Sequence, residues 1–225
     1  MRLTRTLSAL ACSALLALSA AHASTIAVFS SEPIPDAVFT RMLGKSYPKE
    51  CRVPREDLRY LRITHIGFDG KAHEGEMVCN RRIASELIEI FTALYKARYP
   101  IEKIRLIDDY GANDEAAMTD NNTSSFCYRT VSGTKRISKH GYGIAVDVNT
   151  LYNPYVVPRK DGTVRIEPAA AKPYVDRSAP NPYKIDRNDL AYKLFTERGF
   201  IWGGDWTNRK DYQHFEKPAA ILMKK

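Results

Sequence analysis

Between Arg81 and Tyr99 the apolar residues Ile83, Leu87, Ile90, Phe91, Leu94 and Tyr95 recur at spacings of three and four, and Pro100 follows. This is the period of an amphipathic helix, closed by a residue that cannot continue it. Upstream, Leu58 to Ile66 reads as a strand running into the turn Phe68-Asp69-Gly70, with a second short strand near Glu76 to Val78. Together these predict a hairpin packed on the helix. Ile104 to Ile107 reads as a short strand, and 108–122 as an acidic and polar loop broken by Gly111 and Asn113. From Ile144 to Asn149 the pattern alternates, with Ile144, Val146 and Val148 on one face and Ala145, Asp147 and Asn149 on the other. That predicts a half-buried strand presenting a carboxylate beside a small alanine.

Residues 152–183 carry Pro154, Pro158, Pro168, Pro173, Pro180 and Pro182 around the turn Lys160-Asp161-Gly162, too many prolines for continuous regular structure. A loop of this length inside a compact domain is uncommon unless it has a function, so it is expected to flank the site. A surface excursion tied down by its tyrosines is the alternative. Leu190 to Arg198 reads as a helix ended by Gly199, and the chain then passes through Trp202-Gly203-Gly204-Asp205-Trp206 to His214-Phe215-Glu216. Strands interspersed with two clear helices, without a βαβ rhythm, indicate an α+β architecture.

The amino terminus changes the setting. Arg2 and Arg5 precede an apolar stretch from Leu7 to Ala20 and the small-residue site Ala21-His22-Ala23, whereas a membrane span needs roughly 20 consecutive apolar residues. Residues 1–23 are therefore expected to be a signal peptide, with the mature chain starting at Ser24 and exported to the periplasm or beyond. The remaining 202 of 225 residues suit one domain with its own core. Within it, 24–59 is expected as an amino-terminal extension packed on the body, 60–217 as the body itself and 218–225 as a tail, with a monomer as the default state. The formal charge is +8, and loss of Arg2 and Arg5 leaves +6. These positives are scattered, without a basic face interleaved with aromatics, which argues against nucleic acid as a partner. Cys51, Cys79 and Cys127 remain after cleavage; in an oxidising compartment Cys51 with Cys79 is the expected pair, and Cys127 a buried thiol.

The candidate chemistry lies in two short stretches. In Ser138-Lys139-His140-Gly141-Tyr142-Gly143-Ile144-Ala145-Val146-Asp147 a histidine precedes a glycine-flanked turn and an aspartate sits on the strand that follows, so both side chains could reach one metal ion. In Asp211-Tyr212-Gln213-His214 a carboxylate precedes a histidine by three, which in a helical turn would put a general base beside a ligand. Arg129, a few residues before the first stretch, could place a permanent positive charge where an oxyanion develops. His65 and His73 flank the hairpin and fit a structural role. Trp202 and Trp206 fit packing that shapes a cleft. A thiol pair of Cys127 with His140 would leave Asp147 and His214 without a role.

Taken together, Ser138-x-His140-x-x-Gly143-x-Ala145-x-Asp147 followed by Asp211-x-x-His214 resembles the D-alanyl-D-alanine carboxypeptidase family of zinc peptidases, which includes VanY- and VanX-type enzymes and phage L-alanyl-D-glutamate endopeptidases. The likeness extends to Phe68-Asp69-Gly70, Gly75-Glu76, Ser125-Phe126, Tyr128-Arg129, Tyr152-Asn153-Pro154-Tyr155 and Trp202-Gly203-Gly204-Asp205-Trp206, from about Tyr60 to Lys217. It implies a zinc peptidase domain over 60–217 with the fold shared by hedgehog signalling domains, an antiparallel sheet with helices on one side and a zinc cleft on the other. It also implies one zinc ion on His140, Asp147 and His214, Asp211 as general base, Arg129 steadying the substrate carbonyl, and Ser138 supporting the first ligand or contacting substrate. The branch carries asparagine at the position of Cys127, a departure that bears on pocket polarity and redox sensitivity. The implied substrates are peptidoglycan stem peptides, cut by a D,D-carboxypeptidase. The alternatives are a cell-wall endopeptidase, a secreted metal-dependent nuclease, or a zinc-binding module without catalysis.

Overall fold

The computed structural model describes residues 26–131 and 134–223, so the expected signal peptide at 1–23 lies outside the described residues. In chain order, β1 (Phe29–Glu32) and α1 (Asp36–Met42) precede the long hairpin of β2 (Leu58–Ile66) and β3 (Ala72–Asn80), and α2 (Arg81–Lys96) follows. β4 (Lys103–Ile104), α3 (Asp114–Thr119) and β5 (Asn122–Thr123) lead to β6 (Ala145–Asp147). A second hairpin, β7 (Tyr155–Pro158) with β8 (Val164–Glu167), precedes α4 (Leu190–Glu197), β9 (Ile201–Trp202), β10 (Lys210–Asp211) and β11 (His214–Glu216). The strands form three antiparallel sheets, β1-β2-β3, β10-β7-β8 and β6-β11-β9, together with a parallel pair, β4-β5. The architecture is α+β, but the single sheet that was expected is divided.

Alternation along the first hairpin explains its burial. Leu61, Ile63, Met77 and Cys79 face α2, whose Ile83, Leu87, Ile90, Phe91 and Leu94 complete one core with Val146, Phe195 and Phe215. Leu58, Tyr60 and Val78 point the other way, toward Val38 and Met42 of α1 and toward Phe126. This sheet is therefore covered on both faces, not on one as expected, because both sets of alternating positions are apolar. Asn80 caps α2 by accepting from the Arg82 N–H at 3.0 Å, the interaction preferred at a helix start. The helix stops at Lys96, short of the expected Tyr99, since Arg98 takes a positive φ of 55°.

Other sequence readings are corrected by local pairing. The strand expected at 104–107 is confined to β4, and Ile107–Tyr110 turns as a 3-10 helix. The expected loop at 108–122 holds α3, capped by Asn113, whose side chain accepts from the Ala116 N–H at 3.0 Å. Residues 152–183 hold the β7-β8 hairpin and a 3-10 turn at Ala169–Tyr174. That segment is pinned from inside. The Asn153 amide donates to the carbonyls of Asn149 and Tyr183, each at 3.0 Å, and the Arg177 guanidinium donates to Tyr152 O at 3.0 Å and Ile185 O at 2.9 Å. Side-chain bonds thus replace the ladder that the prolines deny. Cys51 and Cys79 are both free thiols: Cys79 faces the core under α2 while Cys51 packs on the opposite cluster, so the expected pair does not form. Cys127 is buried, as expected.

Two stability predictions follow from burial. Phe215 is fully buried and stacked on Phe195 at 4.3 Å between ring centroids; Phe215→Ala should cost about 3–5 kcal/mol, read as a lower midpoint in denaturant. His65 is buried, and desolvation lowers its pKa to about 4 from 6.5. The unfolded chain then binds the extra proton between those values, so this contribution to stability is complete above pH 6.5 and is lost as the pH falls toward 4. His65→Gln should flatten the stability curve in that window by up to about 3 kcal/mol, measured as the difference from the parent protein in chemical denaturation from pH 4 to 7.

Candidate metal centre and active-site cleft

Pairing between β6 and β11 creates the centre of the site. In their antiparallel register His214 lies directly opposite Asp147, and Phe215 opposite Val146. Cross-strand partners stand on the same face of a sheet with their Cβ atoms about 4.5–5.5 Å apart. The imidazole and carboxylate therefore meet, with His214 Nδ1 at 2.9 Å from Asp147 Oδ1. His140 joins from the 3-10 turn His140–Tyr142 just before β6, its Nε2 lying 3.2 Å from Asp147 Oδ2 and 3.1 Å from His214 Nδ1. The turn is closed by Gly143, whose φ is +67° and whose carbonyl accepts from Asn80 N–H at 2.8 Å; a Cβ there would stand 2.7 Å from that nitrogen. Glycine is required on both counts.

Segment 124–126 holds the first histidine from the other side. Ser124 bridges Asp147, the Phe126 N–H donates to Val78 O at 2.9 Å, and between them Ser125 O accepts from His140 Nδ1 at 2.7 Å. A carbonyl can only accept, so Nδ1 carries the proton and Nε2 presents its lone pair to the cluster. His214 is oriented in the same way through Nε2, which donates to Glu216 Oε2 at 3.1 Å, leaving Nδ1 inward. His140, Asp147 and His214 thus each offer a donor atom, all within 4.8 Å of one another. The donor set fits a divalent cation of borderline softness such as zinc. Electrostatics agree: burial opposes ionisation of Asp147, but the two histidines outweigh it and hold its pKa well below the carboxylate range. Burial likewise opposes a charge on His214, yet its bonds to Asp147 and Glu216 raise its pKa to about 10. The cluster demands positive charge.

The expected helical relation between Asp211 and His214 is absent. Asp211 ends β10, a bend spans 212–213, and His214 begins β11. The two are brought together by Gly203, at which a Cβ would lie 2.7 Å from the Asp211 Cβ and 3.3 Å from the His214 Cβ. The Trp202 indole secures this bend by donating to Tyr212 O at 2.9 Å. One carboxylate oxygen of Asp211 is buried without a hydrogen-bond partner. Desolvation raises its pKa to about 7, against the pull of His214 and Arg129. A carboxyl group so poised can take and return a proton near neutral pH.

These groups line a cleft of about 920 Å³, together with Arg129, Ser138, Tyr155, Glu167 and Trp206. Ser138 is buried and its hydroxyl accepts from the His140 N–H at 3.3 Å, so it supports the first ligand. The long segment 152–183 does flank the site, through Tyr155, Arg165 and Glu167. Cys127 is not among the lining residues and packs with Ile107 and Ala117, while the His140 ring is engaged with Ser125, Asp147 and His214, which removes the thiol-pair alternative. His65 and His73 also lie apart from the cleft lining; His73 bonds Asp69 at 2.9 Å. Sequence reading missed Glu216, which orients a ligand, and Asp114, which pairs with Arg129 at 2.5 Å from the start of α3. Glu216 sits two residues after His214 on a strand, the spacing that shares a face, so a signal for it existed. Asp114 had none.

Residues 132–217 match the family model of D-alanyl-D-alanine carboxypeptidase. Over this segment the chain is similar to that peptidase family. The match contains His140, Asp147, Asp211 and His214, while Arg129 and Asp114 precede it. No curated protein and no solved structure matches the chain. If the three converging side chains hold zinc, His140→Ala should abolish its stoichiometric binding. Glu216→Gln should weaken it about 10- to 100-fold, the usual cost of losing an outer-shell partner of a metal-ligating histidine; titration calorimetry on metal-stripped protein measures both.

Proposed function

We propose that this protein is an exported zinc peptidase that hydrolyses peptide bonds in peptidoglycan stem peptides, acting as a D,D-carboxypeptidase. The observation that carries the reading is the convergence of His140, Asp147 and His214 beside an unpartnered, buried Asp211, inside the segment that matches the carboxypeptidase family. The leader expected from the sequence at 1–23 supports export, which would put the enzyme where stem peptides are.

His140, Asp147 and His214 would hold the zinc ion. When bound, zinc supplies Lewis acidity, lowering the pKa of a water from 15.7 toward about 7. Asp211, whose pKa is raised to about 7 by burial, accepts a proton from the attacking water and returns it to the departing amine. Arg129, anchored on Asp114, presents a fixed cation to the substrate carbonyl as its oxygen gains negative charge. Glu216 and Ser125 keep the two imidazoles aimed inward. Ser138 stands at the cleft wall, where substrate contact adds to its support of His140.

Asp211→Asn should lower turnover of defined muropeptides by about 10²- to 10⁴-fold while zinc stays bound, as metal analysis of the purified variant will show. Unchanged turnover would remove Asp211 from the mechanism. With the parent protein lacking 1–23, mass spectrometry should detect free D-alanine, and a chelator should stop its release until zinc is restored. Larger peptide fragments would indicate an endopeptidase instead, and cleavage of plasmid DNA with muropeptides left intact would overturn the peptidase reading.

A further inference from the structure

The cleft holds a cation that the chemistry above does not use. Arg209 is half-buried in the cleft wall, its guanidinium carbon 4.3 Å from the centre of the Trp206 ring. Trp206 in turn lies against the ligand His214, with 5.4 Å between ring centroids. One indole therefore separates Arg209 from the metal centre. Among the described residues no carboxylate forms an ion pair with Arg209. The other cations of the cleft are engaged or solvated. Arg129 is paired with Asp114, Arg165 with Glu167, the Lys139 ammonium donates to Lys217 O at 3.3 Å, and Arg136 is exposed.

A guanidinium stacked on an indole keeps its in-plane donors free and spends little conformational freedom when it meets an anion. Carboxylates match that fork with two parallel hydrogen bonds. The two ring contacts, of 4.3 Å and 5.4 Å, set the guanidinium one indole away from His214. Resting on the peptidase reading, we propose that Arg209, presented by Trp206, is the residue that selects substrates with a free carboxylate close to the scissile bond. In a carboxypeptidase this is the terminal carboxylate.

The test compares two noncleavable ketomethylene isosteres of a blocked peptide ending in D-Ala-D-Ala, one with a free terminal carboxylate and one as the carboxamide. Their binding to the zinc-loaded protein is measured by calorimetry. The parent protein should bind the carboxylate form about 10- to 100-fold more tightly, the range for a charge-assisted hydrogen bond. Arg209→Gln should erase that preference while leaving carboxamide binding unchanged, and Arg209→Lys should keep part of it. Equal binding of the two isosteres by the parent protein, a comparison that needs no variant, overturns the assignment, and so does a preference that survives in Arg209→Gln. Hydrolysis of the cleavable peptide is assayed separately. A carboxylate preference without hydrolysis would sustain the Arg209 assignment and refute the peptidase reading, whereas hydrolysis without preference would do the reverse.

Discussion

Every part of the site depends on one register, the antiparallel pairing of β11 with β6 that sets His214 across from Asp147. A slip of β11 by one residue would turn His214 away from Asp147 and carry Phe215 out of the core, because side chains alternate along a strand. The same pairing thus fixes two of the three candidate metal ligands, Asp147 and His214, and a fully buried phenylalanine. Phe215 stacks on Phe195 of α4, and Val146 is buried with them, so the hydrophobic core enforces the coordination geometry. Stability and the placement of Asp147 and His214 are set by one ladder, while His140 reaches them from the turn that Gly143 closes.

Charge compensation organises the space around that ladder. Asp147 is held ionised by two histidines, His214 is held by Asp147 and Glu216, and Arg129 is held by Asp114. Other polar groups of the cleft stand outside these pairings: one oxygen of Asp211 and the Gln213 side-chain oxygen are buried without a partner, and Arg209 rests on an indole. A folded chain keeps few such groups, and those it keeps concentrate where chemistry occurs. The cleft is walled by the β7-β8 hairpin, whose position depends on Asn153 and Arg177 tying the proline-rich segment together from within.

Much of this was legible along the chain. Periodicity located α2, α4 and the β2 strand, and the alternation from Ile144 to Asn149 placed Asp147 on the face opposite the apolar residues. The residues that converge, His140, Asp147, Asp211 and His214, were singled out from their types and spacing together with their likeness to a peptidase family. Three other readings were wrong for physical reasons. The sheet is covered by helices on both faces, the segment 152–183 contains paired strands despite its prolines, and Cys51 and Cys79 lie in different clusters. For the sheet faces and the cysteines the deciding contacts join positions distant in sequence, where local pattern carries no information, whereas the β7-β8 hairpin is a local pairing that its flanking prolines masked.

The amino-acid sequence by itself determined which residues alternate, which segments can be helical, and which side chains can bind a metal or move a proton, because these are properties of residue type and near neighbours. Only the tertiary structure decided that Asp211 and His214 meet across a bend and not along a helix, that Glu216 and the Ser125 carbonyl orient the imidazoles, and that Asp114 anchors Arg129. Those outcomes are set by strand register and by the close approach that Gly143 and Gly203 permit. Such distances exist only once the chain has folded back on itself.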